Sequence, residues 1–229
     1  MEEKNKVLLF LHIAKTAGTS FRKYVDTHFN KNEFKELYDS DVILQFMLSE
    51  KKEEINALFG HFSFKHRLDT YILPRQSKYI TFLRNPVERV VSQFFHFKRS
   101  NMPGHIKMMR QHPNIKKFLQ SQRGQNWQVQ CVAGVNILQI KAHPKLCLDL
   151  AKYNINHFFD FVGITEEYEF SLKKLSEKYN WKTPVIEKRN VGKRPNTFDL
   201  SKELINNIKK ENALDIELYN YALNLLKGK

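Results

Sequence analysis

Cysteine is scarce in this chain: Cys131 and Cys147 are the only two in 229 residues. Two thiols do not make a disulfide framework, and their spacing is not that of a zinc site, so a reduced cytoplasmic setting and no metal are expected. Long apolar runs are missing as well. Without a stretch of roughly 18 apolar residues, no membrane-crossing helix is predicted. The opening Met1-Glu2-Glu3-Lys4 is too short and too acidic to read as a secretory leader. There is no internal repeat and no low-complexity block. Nor is there a recognition-helix, finger or RNA-binding signature, so nucleic acid is not expected as a partner.

What is present is ordinary globular composition with an excess of one charge. Apolar residues make up 41%, aromatics 13% with 18 Phe, and charged residues 27%, which favours a packed core over disorder. The length suits one sizeable α/β core and is short for two, so residues 1–229 are read as a single domain. The net charge of +14 has two readings: a lysine-rich solvated surface, or attraction of an anionic donor or acceptor.

The stretch that organises the chain runs from Leu11 to Phe21. It follows the apolar run Val7-Leu8-Leu9-Phe10 and precedes Phe21, Tyr24, Val25, His28 and Phe29, spaced as one helix face. A strand entering a Gly-containing turn and then a helix offers backbone amides and a positive dipole end to an anion. Lys15 adds charge, Thr16, Thr19 and Ser20 add hydroxyls, and Ala17 and Gly18 complete the loop. The nucleotide-hydrolase pattern, with Lys after the last Gly, fails here because Lys15 precedes Gly18. Lys15-Thr16-Ala17-Gly18-Thr19-Ser20 instead resembles the 5′-phosphosulfate loop of the carbohydrate sulfotransferases, with Ala14 where that family usually has Pro. The resemblance implies a three-layer, P-loop-like α/β domain with a mainly parallel sheet. It also implies 3′-phosphoadenosine-5′-phosphosulfate (PAPS) as co-substrate and adenosine 3′,5′-bisphosphate (PAP) as product.

Tyr79–Leu83 reads as a second strand, leading to a helix with Asn85 as N-cap, Pro86 in the first position and Glu88 at N3. Thr81-x-x-Arg84-Asn85-Pro86-x-x-Arg89-x-x-Ser92 resembles the family's 3′-phosphate segment, so Arg84 and Ser92 are expected on that phosphate. Between the two segments, Gly60-His61-Phe62-Ser63 resembles the family's histidine segment. It makes His61 the expected base, with His66 in reserve. Lys193 and Arg194, in a basic loop, are expected to close on the nucleotide. Asn126 or Gln128, in Asn126-x-Gln128-x-x-x-x-Ala133-Gly134, either reaches the acceptor or caps a helix.

Elsewhere, Ser40–Phe59 carries helical periodicity ended by Gly60, and residues 98–125 read as loop and short helices. Phe158–Ile164 reads as a buried strand, with Thr165 as N-cap of the helix that follows. Residues 142–154, 201–210 and 212–226 read as helices. The implied chemistry is in-line sulfuryl transfer to a hydroxyl, of a sugar by resemblance, with His61 taking the proton and Lys15 meeting charge on the leaving oxygen. Two rivals are a nucleotide kinase or NTPase, and a non-catalytic basic module that binds anionic polymer.

Overall fold

The computed structural model describes residues 6–49, 54–72, 75–182 and 200–228. Lys193 and Arg194 lie outside the described residues. Five strands, β1 (Lys6–Leu11), β2 (Phe34–Leu37), β3 (Ala57–Gly60), β4 (Gln76–Leu83) and β5 (Phe159–Ile164), form one sheet in the order β2-β3-β1-β4-β5. Every described pairing is parallel. The chain leaves β1 towards β2 and β3, then crosses back over β1 to β4 and β5. The switch point of the sheet therefore falls at the carboxyl end of β1, where ligands bind in open α/β sheets.

Both faces of this sheet are covered, which is why its central strands read as continuous apolar runs. Leu8 and Phe10 of β1 point to one side, with Phe21, Tyr24 and Val25 of α1 (Gly18–Asp26) and Leu172 and Leu175 of α9 (Tyr168–Tyr179). Val7, Leu9 and Leu11 point to the other. There they meet α2 (Ser40–Leu48), α6 (Trp127–Ala133), α8 (Pro144–His157) and α11 (Ala213–Lys227). Phe10 shows the packing: its ring lies 5.5 Å from Phe21 edge-on and 5.9 Å from Phe59 stacked. Burying one such ring contributes about 1.5–3 kcal/mol, and each aromatic pair adds about 0.5–1.5. A third cluster joins Val90, Val91, Phe94 and Phe97 of α3 (Pro86–Arg99) to Phe118 of α5 (Ile115–Phe118) and Ile208 of α10 (Lys202–Glu211).

Three expectations are corrected. The helix expected over Ser40–Phe59 ends at Leu48, and Ala57–Gly60 is strand β3, wholly buried between β1 and β2. A four-residue apolar run fits either element, and parallel pairing decides it. Strand β2, half-buried at the sheet edge, was not expected at all. Thr165 opens a 3-10 turn over Thr165–Glu167, and α9 begins after it without a side-chain cap. The Asn85 cap does form, its Oδ1 accepting from the amides of Val87 and Glu88. Short helices α4 (Pro103–Gln111) and α5 occupy the 98–125 region, and α7 (Ile137–Ala142) precedes α8. Among the described residues, no helix is long and apolar enough to cross a membrane.

The carboxyl-terminal helix is locked to α6 by reciprocal capping. Asn126 Oδ1 accepts from the amides of Leu214 and Asp215. Asp215 accepts in turn from the amides of Gln128 and Val129, at 3.1 and 2.8 Å. Asp215 and Arg89 are both fully buried, and the carboxylate stabilises the guanidinium, which also donates to the Arg123 carbonyl at 3.0 Å. Removing the Asp215 carboxylate leaves the buried Gln128 and Val129 amides without their acceptor and takes a compensating charge from near the buried Arg89. Asp215→Ala is therefore expected to lower unfolding free energy by about 2–5 kcal/mol, read from urea melts. A loss under about 1 kcal/mol would show that this cap is dispensable.

Candidate functional site

The site begins with register. Leu11 of β1 and Leu37 of β2 both pair with Gly60 of β3. One residue further, the three strands present His12, Tyr38 and His61 in a row across the carboxyl edge. The His12 amide donates to the Gly60 carbonyl at 2.9 Å, and the His61 amide donates to Leu37 at 3.0 Å. The two imidazoles stack at 4.4 Å, and Tyr38 meets His61 edge-on at 4.9 Å. His61 Nδ1 lies 2.8 Å from the His12 carbonyl oxygen. A carbonyl only accepts, so Nδ1 carries the proton, and in the neutral ring Nε2 keeps its lone pair.

The loop after β1 turns sharply, with Lys15 at φ 74° and Ala17 at φ 63°. Left-handed backbone in residues with a Cβ is strained, and here it folds the chain into a concavity of successive amides at the start of α1. The Ser20 and Phe21 amides both donate to the Ala17 carbonyl at 3.1 Å, the amides of Gly18 and Thr19 precede the first intrahelical bond, and Ala17 supplies no side-chain cap. That donor set suits an anion of phosphate or sulfate shape. Thr16 is buried and spends its hydroxyl on the Ile13 carbonyl at 2.8 Å, so it shapes the loop. Thr19 is exposed and Ser20 half-buried at the helix start. Gly18 is required by His12, because a Cβ there would stand 1.7 Å from His12 Nε2.

Strand β4 brings the second segment alongside. Thr81 donates to the Leu11 carbonyl at 2.7 Å and ties β4 to β1. Arg84 Nη1 donates to the Lys15 carbonyl at 3.0 Å, while its Nη2 lies 3.3 Å from Glu88 and its Nε 3.8 Å from Glu166. Gln128 holds the Arg84 backbone at both ends: the Arg84 amide donates to Oε1 at 2.8 Å, and Nε2 donates to its carbonyl at 2.9 Å. From Arg84, the positions Glu88, Ser92 and His96 follow at four-residue intervals along one face of α3. Ser92 is buried and His96 half-buried.

Among the described residues, no group of three or more His, Cys, Asp or Glu is placed to hold a metal. His12, His61 and His96 are lowered from the ordinary imidazole value. His12 is pushed down to about 3, first by burial and then by His61 and Lys15. His96 is pushed down to about 4, by burial and then by Lys15, His105, Arg99 and His61. His61 is lowered by burial, partly offset by its bond to His12 and reinforced by Arg123. Tyr38 is pushed up to about 12, first by burial and then by Glu36, so its hydroxyl keeps its proton.

A model of the sulfotransferase family matches residues 1–222. The chain belongs to the sulfotransferase family. Heparan sulfate 2-O-sulfotransferase 1 of Homo sapiens and that of Pongo abelii are each 28% identical to it over 196 residues, 73% of this chain and 53% of theirs. The chain thus spans about half (53%) of the length of the curated relatives it matches. Among solved structures, mouse sulfotransferase SULT7A1 complexed with PAP covers 80% of this chain and 61% of that one, at 14% identity and a TM-score of 0.41.

In this member of the family, then, Lys15, Thr16, Ala17, Gly18, Thr19, Ser20, His61 and Arg84 lie at the carboxyl edge of the sheet, with Ser92 about two turns along α3 from Arg84. His66 does not join them. Its Nδ1 accepts from the Ser63 amide at 3.1 Å in the capping box of the 3-10 turn over Phe64–His66. Asn126 and Gln128 are both occupied with protein partners, the cap of α11 and the Arg84 backbone. Sequence reading missed the roles of His12, Tyr38, His96 and Arg123. For His12 and Tyr38 the signal was their place one residue beyond a parallel strand, hidden while β2 and β3 went unread.

Acid should unfold this arrangement. A histidine lowered by folding binds more protons in the unfolded chain, so its stabilisation is complete above pH 6.5 and is lost as pH falls towards the folded value. For His12 that window runs from 6.5 to about 3, with a slope approaching about 1.4 kcal/mol per pH unit. The melting temperature is expected to drop between pH 7 and pH 5, and His12→Asn should flatten that drop. An identical pH slope in the variant would mean that His12 titrates normally.

Proposed function

We propose that the protein transfers a sulfuryl group from PAPS to a hydroxyl, that of a carbohydrate, by in-line displacement. The observation that carries this reading is the His61 ring, locked through Nδ1 to the His12 carbonyl one strand from the anion-shaped loop. A base must be positioned, unprotonated at working pH, and within reach of the proton it takes. Nε2 of a lowered, neutral His61 meets the second condition, and the stack on His12 meets the first.

The amides after Lys15, with Thr19 and Ser20, are assigned to the 5′-phosphosulfate, and Arg84 and Ser92 to the 3′-phosphate. The acceptor oxygen attacks sulfur while the bond from sulfur to the bridging phosphate oxygen breaks. The acceptor proton passes to His61 Nε2, and PAP leaves with negative charge on that oxygen, which Lys15 offsets. Fixed charges and donors act at the moment the charge develops, the same positioning logic that governs phosphoryl transfer. The sugar acceptor is supported by the names of the curated relatives and by a net charge of +14, which draws acidic polymers.

Turnover measured with radiolabelled donor tests the assignment. His61→Ala should fall by about a hundred- to ten-thousand-fold in kcat, still bind PAP in a calorimeter, and lose the acidic limb of the rate profile. Because His61 is lowered, that limb should lie below the ordinary imidazole value of about 6.5. His66→Ala should reduce turnover only modestly. Normal turnover in His61→Ala would remove the histidine from the mechanism. Thermal shifts with PAP, ATP with magnesium, and a heparin-like polymer separate this reading from a kinase and from a passive polymer-binding module. The largest stabilisation is expected from PAP.

Arg84 is tested separately. Because it reads the 3′-phosphate in this proposal, PAP should bind more tightly than adenosine 5′-monophosphate by about 1.5–3 kcal/mol, the worth of a charge-assisted contact. Equal affinity for the two nucleotides would detach Arg84 and Ser92 from that phosphate.

A further inference from the structure

Beside the His61 loop lies a small polar cavity that the donor site does not use. It encloses about 140 Å³, and its lining includes Ser63, Lys65, Gln122, Trp127, Val135 and Gln139. At roughly 30 Å³ per water that is the room of about five waters. One sugar ring is of a size to fill it.

Three observations tie the cavity to the transfer centre. Ser63 is two residues from His61, so their Cα atoms lie within about 7 Å of each other. Gly134, at φ 73°, lies so close beneath that a Cβ there would stand 2.5 Å from the Lys65 backbone nitrogen. That approach seats the segment carrying His61, Ser63 and Lys65 directly on the end of α6. Arg123, finally, lies with its guanidinium 4.9 Å from the Trp127 ring. Its charge also acts on His61.

The lining is a set of fixed amides around one aromatic ring. Gln130, also in the wall, is fully engaged. Its Nε2 donates to the carbonyls of Gln122 and Gln125 at 2.9 and 2.7 Å, and its Oε1 accepts from Gln122 Nε2 at 3.1 Å. The Gln122 amide is thereby fixed, with its Oε1 left as an acceptor. Gln139 Oε1 accepts from the Asn136 amide at 2.9 Å in the capping box of α7, which leaves the Gln139 NH2 as a donor. A hydroxyl from Ser63, an indole and the Lys65 cation complete the surface. Preset donors and acceptors around an aromatic wall suit a pyranose ring, with Lys65 placed for an acidic substituent.

We propose that this cavity is an acceptor subsite, holding one acidic sugar ring next to the ring whose hydroxyl is offered to His61. The proposal rests on the carbohydrate reading above. Trp127 and Trp181 are the two tryptophans of the chain, so in a Trp181→Phe background the emission of Trp127 reports on the cavity. A desulfated heparan tetrasaccharide is expected to change that emission saturably. Val135→Phe, which fills the cavity, and Lys65→Ala, which keeps its shape, should each weaken the response by about tenfold, the worth of one or two hydrogen bonds. PAP affinity should not change in either. With radiolabelled donor, both variants should raise KM for the tetrasaccharide by a similar factor and leave KM for a single-ring methyl glucuronide unaltered. Parental emission response and parental KM in both variants would overturn the subsite, while sulfation of the saccharide would still uphold the carbohydrate reading. If neither saccharide is sulfated nor perturbs Trp127, the carbohydrate reading falls and the subsite with it.

Discussion

Three parallel strands that end in step are the constraint on which this site depends. Because Leu11, Gly60 and Leu37 share one register, the next residues of β1, β3 and β2 must lie side by side. Parallel pairing gives each strand a fixed offset from its neighbour, and a slip of one residue turns every side chain to the other face. His12, His61 and Tyr38 therefore do not need a flexible loop to find one another. The sheet delivers them together at its carboxyl edge, and the buried alternation of Leu8, Phe10, Leu9 and Leu11 holds the register against slippage.

Charge around this row is arranged so that imidazoles stay neutral beside cations. Burial is the first cause that lowers His12, His96, His61 and His105, and Lys15 adds to it for the first two and Arg123 for the last two. A protonated histidine there would meet repulsion and a desolvation cost at once, so the proton is excluded on both counts. The consequence is chemical as well as structural. A base can accept a proton in a transition state only if it has not already taken one from water. His12 serves this arrangement without reacting: its ring covers one face of His61, and its carbonyl fixes the tautomer.

Much of this was legible from sequence. The strand–loop–helix at 7–21 and the strand and capped helix from Tyr79 onward carry strong local signals: an apolar run, a Gly turn, an Asn cap and Pro at the first helical position. The order Lys15…Gly18 and the spacing Arg84…Ser92 could be read without any contact. What could not be read is long-range. Ala57-Leu58-Phe59-Gly60 has no local feature that separates strand from helix, and only its pairing with β1 and β2 decides. Likewise the amides of Asn126 and Gln128 have one appearance in sequence whether they reach a substrate or a neighbouring backbone. Here both turn inward. The cavity beside the His61 loop gathers residues from positions 63 to 139, and no linear pattern announces it.

The hydrogen bonds behind Arg84 tie the carboxyl-terminal helix to the candidate site. Asp215 of α11 holds the first amides of α6, including that of Gln128. Gln128 grips the Arg84 backbone with two bonds, and Arg84 in turn holds the Lys15 carbonyl. Each link leaves the next side chain or peptide with fewer alternatives, and the last link sets a peptide of the strained loop. A loop with two left-handed residues carries backbone strain that its local bonds from Thr16 to the Ile13 carbonyl must help to hold. Its conformation is also held by a buried scaffold reaching back to Asp215 of α11. The shape of this loop is thus a property of the whole domain, and the loop sequence alone does not contain it.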